Sequence, residues 1–369
     1  MRILIAADKF KGTLTAAQVA GHLSGPLSAA GHAVDCVPIA DGGDGTVAAA
    51  VAAGLSAQGA EATGPLGAPV TAHWARSGAT AVIELAEASG LALVSESTAT
   101  TALRASSTGT GELIRAALEA GCTRIVVGVG GSACTDGGAG LLQALGAELT
   151  AADGAGLQPG GGALPSLATA DLEPARALLA AHGARLVLAS DVDNPLLGSA
   201  GAAAVYGPQK GAGPAEVAAL DAGLARLADL LDPAGELRGR PGAGAAGGVG
   251  FALLTLGAEQ VSGASYVMDL AGFDAALRQA ELVVTGEGRF DAQTLSGKGP
   301  GAVVRAARAA GIPVWMVCGG SEVSAAQARA AGLSGVLALT DEAPLAAALA
   351  DPGPLLAGAA RRLAARLGG

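Results

Sequence analysis

The sequence predicts an α/β protein in which both ends of the chain form one open parallel sheet, interrupted by a large inserted α/β domain. Two apolar stretches near the N-terminus, residues 3–7 and 33–39, read as strands that are each followed by a polar loop and a helix. The same order of strand, loop and helix returns from residue 282 onward. Alternation of this kind is typical of parallel sheets whose strands are neighbours in space.

The middle of the chain has a different rhythm, which predicts a second domain. Residues 56–63, 69–76 and 80–85 read as three strands separated by Gly and Pro turns, without helices between them, as expected for an antiparallel element. We therefore expect a parallel-sheet domain over residues 1–55 and 278–369, and an inserted domain over residues 56–277. A length of 369 residues is consistent with two domains.

The other elements follow from apolar periodicity and from the Gly and Pro residues that interrupt it. Thr13 or Thr15 is the candidate N-cap of a first helix over residues 13–28. Further helices are expected over residues 46–53, 108–120, 141–145, 174–181 and 302–310, with an amphipathic helix that ends at residue 231. Further strands are expected over residues 124–127, 185–189, 282–285, 313–317 and 335–339. Residues 243–250 are very rich in Gly, and residues 286–299 are expected to be a loop.

Composition and charge exclude several classes of function. The net charge is −10 and no basic run occurs, which argues against nucleic-acid and anionic-membrane partners. The four Cys residues are scattered without a C-x-x-C pair, as expected for reduced thiols in a cytoplasmic protein. The six-residue apolar run at the N-terminus is too short for a signal peptide or a membrane span.

Residues 127–140, VGVGGSACTDGGAG, form the most distinctive stretch of the chain, and we call it the glycine loop. It lies between an expected strand and an expected helix. A chain that passes from a strand through glycines into a helix turns backbone N–H groups toward a positive helix end, which favours an anion such as phosphate. With 59 Gly residues in the chain, tight packing alone is the alternative explanation.

Acidic and basic side chains collect after several expected strands, beside Gly-rich loops. These residues are Asp8, Lys9 and Lys11; Asp41 and Asp44; Asp191, Asp193 and Asn194; Glu287, Arg289 and Asp291; and, within Gly-rich loops, Lys210 and Lys298. Phosphoryl transfer needs this mixture, because cations and amides bind phosphate, carboxylates hold Mg²⁺, and one carboxylate accepts a proton. Each Asp taken alone is better explained as a turn or cap residue, but that does not explain Lys residues placed beside glycines.

Neither of two known phosphate-binding signatures matches the sequence fully. A Walker A motif is absent around Lys298, because Ala292 and Gly299 occupy positions that require Gly and Ser or Thr. The dinucleotide fingerprint fits better, since Gly128, Gly130 and Ala133 match G-x-G-x-x-A and Glu148 lies twenty residues beyond Gly128. Against NAD binding, Asp136 lies next to the expected position of the pyrophosphate, and the motif falls in the expected insertion.

Six motifs in order resemble the type I glycerate kinase family of bacteria. They are DKFKGTL at 8–14, DGGDGT at 41–46, GVGGSACTDGGAG at 128–140, DVDNPLLG at 191–198, GPQKGA at 207–212 and TGEGRFDAQTLSGKGP at 285–300. The resemblance spans nearly the whole chain. Cys134 stands where the family often has Ala or Thr, a difference that we expect to be harmless.

The resemblance implies phosphorylation of D-glycerate by ATP with Mg²⁺, with 2-phosphoglycerate as the favoured product and ADP released. It also implies a Rossmann-like domain split by an inserted domain, with the active site in the cleft. The expected partners are the small molecules D-glycerate and ATP, and the expected oligomeric state is a monomer or a homodimer.

The site hypothesis combines the resemblance with the chemistry of the residues. The catalytic candidates are Asp191, Lys11 and Asp8; the candidates for phosphate or substrate binding are Gly130, Gly131, Ser132, Asp136, Asn194, Lys210, Arg289 and Lys298; and the metal candidates are Asp193 and Glu287. Asp191 is the expected general base, because it directly follows a buried strand. Arg289 is expected to clamp the glycerate carboxylate with two hydrogen bonds. Two alternatives remain: an NAD-dependent hydroxy-acid oxidoreductase and a non-catalytic anion-binding protein.

Overall fold

The computed structural model describes residues 1–40, 42–296 and 299–368 and shows a mixed α/β protein. Its chain divides into two compact units. The terminal unit contains residues 1–41, 48–53 and 264–369, and the inserted unit contains residues 42–47 and 54–263. Segment 42–47 therefore groups with the inserted unit, although we expected it in the parallel-sheet domain, because it packs closely against the glycine loop.

The strands and helices are numbered in chain order. The strands are β1 Arg2–Ala7, β2 Ala33–Cys36, β3 Ser56–Thr63, β4 Pro69–Ser77, β5 Thr80–Glu84, β6 Arg124–Gly128, β7 Glu148–Ala151, β8 Leu167–Asp171, β9 Arg185–Ala189, β10 Glu259–Val261, β11 Leu282–Phe290, β12 Val314–Ser321 and β13 Gly335–Ala338. The α-helices are α1 Ala16–Ala29, α2 Thr46–Ala52, α3 Ala86–Ser89, α4 Ala99–Arg104, α5 Thr108–Glu119, α6 Ala139–Ala144, α7 Glu173–Ala181, α8 Ala202–Tyr206, α9 Pro214–Leu231, α10 Ala245–Thr255, α11 Gly263–Leu270, α12 Phe273–Leu277, α13 Ala292–Ser296, α14 Gly299–Ala309, α15 Ala325–Ala331, α16 Leu345–Ala350 and α17 Pro352–Leu367. Short 3₁₀ turns occur at Leu91–Leu93, Gly161–Ser166, Pro208–Lys210 and Leu339–Asp341.

The terminal unit contains a parallel sheet with the strand order β13-β12-β11-β1-β2. β1 pairs with β2 on one side and with β11 on the other, so strands from both ends of the chain form one sheet. Side chains alternate along β1, with Leu4 and Ala6 in one apolar cluster and Ile3 and Ile5 in another. Both faces of this strand are therefore buried, as is usual for parallel sheets.

The inserted unit contains a mixed sheet with the strand order β10-β9-β6-β5-β4-β3. The consecutive strands β3, β4 and β5 pair antiparallel, as predicted from their spacing. β5, β6, β9 and β10 run parallel to one another. Their C-terminal ends therefore meet at one edge of the sheet, which is where parallel sheets place ligand-binding loops.

One local expectation was wrong, since residues 286–299 do not form a single loop, and one Gly-rich segment has an unusual backbone. β11 continues to Phe290, so Glu287 and Arg289 lie on a strand that pairs with β12 rather than in a loop. The Gly-rich segment 243–250 enters α10 through three left-handed residues, Ala246, Gly247 and Gly248, with φ of 52°, 67° and 95°. In both places long-range packing supplies the partners, which the local sequence does not reveal.

The first helix begins at one of its two expected caps. Thr15 is the N-cap of α1, because its hydroxyl accepts the Gln18 amide at 3.2 Å while the Gln18 side chain accepts the Thr15 amide at 2.9 Å. This reciprocal pair satisfies two N–H groups that a helix start leaves open. Within the described ranges, no helix is both long and apolar enough to cross a membrane.

Candidate active site

The glycine loop leaves the end of β6 and leads into α6 at the carboxyl edge of the inserted sheet. Gly130 and Gly131 are partly exposed, whereas every residue from Ser132 to Gly140 is buried. Gly131 has a φ of 70°, a conformation that strains residues with a Cβ. The part of this loop that a ligand reaches is therefore the backbone of Gly130 and Gly131.

Asp136 anchors the loop from within. Its fully buried carboxylate accepts the amides of Ser107 at 2.8 Å, Gly138 at 3.1 Å and Gly140 at 3.2 Å, together with the Ser107 hydroxyl at 2.8 Å. The positive start of α6 therefore already holds an anion from the chain itself. The structure places Asp136 as a support of the loop, although we expected it among the substrate-binding residues.

Lys210 holds the same loop from another direction. Its side chain is buried, and its ammonium donates to the Ser132 hydroxyl at 2.9 Å, the Cys134 carbonyl at 2.5 Å and the Thr135 hydroxyl at 3.5 Å. An ammonium has three donors, and these contacts use all of them. Burial lowers the pKa of Lys210, and the negative charge of Asp136 opposes that shift. This geometry favours a positioning role for Lys210 over direct contact with a phosphate.

The second glycine-rich motif, at residues 42–46, packs directly on the glycine loop. The Gly130 amide donates to the Gly42 carbonyl at 3.3 Å. A Cβ at Gly130 would overlap Gly43, and a Cβ at Gly131 would overlap the Asp44 carboxylate. The two motifs thus form one surface, although Asp44 and Gly130 are 86 residues apart in the sequence. Glycine is required where the motifs touch. Asp41 lies outside the described residues.

Glu84 is a site residue that the sequence reasoning missed. It ends β5, pairs in register with Gly128, and is only 4% exposed. Its carboxylate accepts the Gly45 amide at 3.0 Å and the Val47 amide at 3.1 Å. Burial raises the pKa of Glu84 to about 7, although both amides favour the charged form. An acidic residue directly after the apolar strand residues Val82 and Ile83 was the available signal.

The Asp191 loop follows β9, the neighbour of β6, so it lies at the same edge of the inserted sheet. The Ser262 hydroxyl donates to Asp191 at 2.7 Å, and Ser262 directly follows β10. Asn194 bonds within the loop region, because its amide donates to the Ala200 carbonyl at 2.8 Å and its oxygen accepts the Tyr206 hydroxyl at 2.6 Å. Asp193 is exposed.

The terminal unit brings together a second group of candidates. The Asp8 amide donates to the Gly286 carbonyl at 2.8 Å. Ala7 of β1 pairs with Gly286 of β11, and Asp8 and Glu287 are the residues that come next in each segment. A Cβ at Gly288 would lie 3.4 Å from the Lys11 amide nitrogen, and a Cβ at Gly299, the first residue of α14, would lie 3.8 Å from an Asp8 carboxylate oxygen. Lys298 lies outside the described residues.

Arg289 is engaged by acidic neighbours in its own unit. Its guanidinium contacts Glu322 at 2.5 Å and Asp291 at 4.0 Å, and its side chain is 69% exposed. Glu322 follows β12, so pairing of β11 with β12 brings it beside Arg289. A bidentate clamp on a substrate carboxylate would require Arg289 to exchange these partners.

Comparison with known proteins identifies the family. The glycerate kinase family model matches residues 3–368. The glycerate kinase of Bacillus subtilis strain 168 is 44% identical over 328 residues, covering 86% of this chain and 85% of its own length. The glycerate 2-kinase of Escherichia coli K12 is 43% identical over 330 residues, with 86% and 85% covered.

The chain belongs to the glycerate kinase family. A crystal structure provisionally named glycerate kinase 2, from Salmonella typhimurium LT2, superposes with a TM-score of 0.80 at 40% identity, covering 100% of this chain and 98% of that one. The protein is thus a kinase, and the family resemblance carried by the six motifs is confirmed.

Replacement of Lys210 tests whether it supports the glycine loop. In Lys210→Met the Ser132, Cys134 and Thr135 oxygens lose their donor and the buried Asp136 charge loses its cation. We expect the free energy of unfolding to fall by about 3–5 kcal/mol, measured by urea denaturation. Lys11→Met, at an exposed position, should change it by less than about 0.5 kcal/mol. A Lys210→Met protein within about 1 kcal/mol of wild type would contradict this support role.

The raised pKa of Glu84 predicts a pH dependence of stability. Its pKa rises from 4.5 in the unfolded chain to about 7 in the fold, so between these values the folded protein binds more protons. Stability contributed by this group is therefore present at low pH and lost as pH rises toward 7. Relative to Glu84→Gln, the wild type should lose on the order of 3 kcal/mol between pH 4.5 and 7. If the unfolding free energy of the wild type minus that of Glu84→Gln stays constant or grows over this pH range, the Glu84 carboxyl titrates elsewhere.

Proposed function

We propose that this protein transfers the γ-phosphoryl group of ATP to D-glycerate and releases ADP, with 2-phosphoglycerate as the product. One observation supports this most directly: the partly exposed backbone of Gly130 and Gly131 and the carboxylate of Asp191 follow adjacent parallel strands, β6 and β9. An anion-binding backbone beside a carboxylate is the minimum that phosphoryl transfer to a hydroxyl requires. Relatives named glycerate kinase and glycerate 2-kinase support the choice of substrate and product.

In the proposed reaction, a glycerate hydroxyl oxygen attacks the γ-phosphorus of ATP. A new oxygen–phosphorus bond forms, the bond between the γ-phosphorus and the bridging oxygen breaks, and that oxygen leaves with ADP. The hydroxyl proton passes to Asp191, which the Ser262 hydroxyl holds in place. Lys11 and Asp8 are proposed to assist from the end of β1, and Arg289 and Lys298 to bind negative groups of the substrates.

Asp193 and Glu287 remain the proposed ligands of Mg²⁺. Within the described part of the chain, no group of three or more His, Cys, Asp or Glu side chains is close enough to hold a metal ion. Two carboxylates are enough for the proposed role, because Mg²⁺ needs only one or two when substrate phosphates and water complete its coordination. When bound, Mg²⁺ neutralises the charge on the phosphate oxygens. Asp193 is exposed and Glu287 is half-buried.

The dinucleotide alternative fits the structure less well. A pyrophosphate would need the amides at the start of α6, but Asp136 accepts the Gly138 and Gly140 amides there. The cytoplasmic location, the absence of nucleic-acid and membrane partners, and the monomeric or homodimeric state stay predictions.

The substrate assignment is tested by a coupled assay of ADP release. We expect ADP release that depends on D-glycerate and requires Mg²⁺, with the product identified by phosphorus NMR as 2-phosphoglycerate. D-Lactate, which keeps the carboxylate and the 2-hydroxyl in the same configuration but lacks the 3-hydroxyl, is a matched control for substrate recognition. Equal rates of ADP release with and without D-glycerate would refute the proposal.

The role of Asp191 is tested by Asp191→Asn, which keeps its size but removes its ability to accept the proton. We expect kcat to fall by about 10²–10⁴-fold, with little change in KM for ATP. Asp153→Asn is the matched control, because Asp153 is an exposed acidic residue outside the proposed site whose carboxylate accepts the Ala155 amide at 3.0 Å. The base role is excluded if Asp191→Asn folds and keeps more than about a third of wild-type kcat. Such a small fall would mean that the activation free energy rises by less than about 1 kcal/mol.

A further inference from the structure

Glu84 links two glycine-rich motifs that the catalytic proposal uses only in part. It is the last residue of β5, and its buried carboxylate accepts the amides of Gly45 and Val47. These are the last turn residue before α2 and the second residue of that helix. Both carboxylate oxygens contact the Gly45 amide at 3.0 Å, and one also accepts Val47 at 3.1 Å. Segment 42–47 is thereby tied to the sheet at its edge.

The tied segment is the part of the inserted unit that touches the exposed backbone of the glycine loop. Gly43 and the Asp44 carboxylate fill the space where Gly130 and Gly131 would carry a Cβ. The Thr46 hydroxyl donates to the Gly43 carbonyl at 2.7 Å, which closes the turn internally. A shift of this turn would therefore displace Gly130 and Gly131, while Asp136 and Lys210 hold the rest of the loop.

We propose that Glu84 is a positioning residue for substrate binding: by holding the Gly45 and Val47 amides, it fixes segment 42–47 against Gly130 and Gly131 and so shapes the anion-binding backbone. This role rests on the proposed function, because the anion is a phosphate of ATP or the carboxylate of glycerate. Glu84 itself does not need to touch either substrate.

The residue type matches this role. Both Gly45 and Val47 present N–H donors, and a carboxylate only accepts hydrogen bonds, so the match is complete when Glu84 is ionised, above its raised pKa of about 7. Gln at this position would turn an NH₂ group toward the Gly45 amide, so that two donors would face each other. Asp keeps the charge but is shorter by one methylene, so it cannot reach both amides without movement of the strand. The other acidic groups acting on Glu84 are Asp44 and Glu87, and no compensating cation is among the charges that shift it.

The first arm of the test measures the contact without using activity. Hydrogen exchange of the Gly45 and Val47 amides is followed by NMR in the wild type, Glu84→Gln, Glu84→Asp and Glu87→Gln. Glu87 is the matched control, since it lies on α3, contacts the His73 amide at 2.9 Å and makes neither bond to segment 42–47. We expect at least tenfold faster exchange at both amides in the two Glu84 variants and no change in Glu87→Gln. Unchanged exchange in a folded Glu84 variant would overturn the proposal.

The second arm separates positioning from simple loss of folded enzyme. A smaller folded fraction lowers the maximal rate but leaves KM unchanged, whereas a displaced anion-binding backbone raises KM for the anion that it holds. We expect KM for ATP or for D-glycerate to rise at least fivefold in Glu84→Gln and to stay within twofold of wild type in Glu87→Gln. If both KM values are unchanged in a folded Glu84 variant, Glu84 only stabilises the fold and the proposal is wrong.

The outcomes also distinguish this proposal from the proposed function. A wild-type protein without D-glycerate-dependent ADP release overturns the kinase assignment, and the positioning role falls with it. An active wild type whose Glu84 variants keep both KM values overturns the positioning role alone. Should Glu84→Gln fail to fold, Glu84→Asp, which retains the carboxyl group, is measured in its place with the same expectations.

Discussion

The satisfaction of buried polar groups around the glycine loop is the constraint on which the inserted unit depends. From Ser132 onward the loop is buried, and a buried amide, carbonyl or hydroxyl without a partner costs free energy. Asp136 supplies acceptors for its amides and Lys210 supplies donors for its oxygens. Because each of these charges is itself buried, each depends on the other polar groups of the loop and on the opposite charge. Removing one therefore leaves several groups without partners.

Because Asp136 and Lys210 support the buried part of the glycine loop, a short part of the loop stays accessible to a ligand. Gly130 and Gly131 reach the surface, and they are shaped from outside by Gly43 and Asp44. The division is physically reasonable, because a backbone that binds an anion must be both accessible and rigid. Asp136 and Lys210 provide rigidity from the interior, and Glu84 provides it at the surface through segment 42–47.

In the terminal unit, the pairing of strands positions the polar groups. β1 and β11 come from opposite ends of the chain, and their pairing places Asp8 beside the Gly286 carbonyl. Pairing of β11 with β12 brings Glu322 to Arg289 and places Glu287 beside Cys318, whose pKa burial raises to about 12. Cys318 is therefore a neutral thiol here, and the negative charge of Glu287 is one reason. Polar groups at this edge are organised by neighbours that lie far away in the sequence.

The sequence by itself determined the features that depend on local patterns. Continuous apolar runs located β1 and β9, the antiparallel series β3 to β5 followed from its spacing, and Thr15 was one of two expected helix caps. The six motifs identified the family. Tertiary structure decided which charged residues support the loop and which reach the surface. The deciding contacts join residues that are far apart in the sequence: Lys210 with Ser132 over 78 positions, Asp136 with Ser107 over 29, Arg289 with Glu322 over 33 and Glu84 with Gly45 over 39. A local pattern shows that a carboxylate or an ammonium follows a strand, but only the packed neighbours decide whether its hydrogen bonds go to the chain or to a ligand.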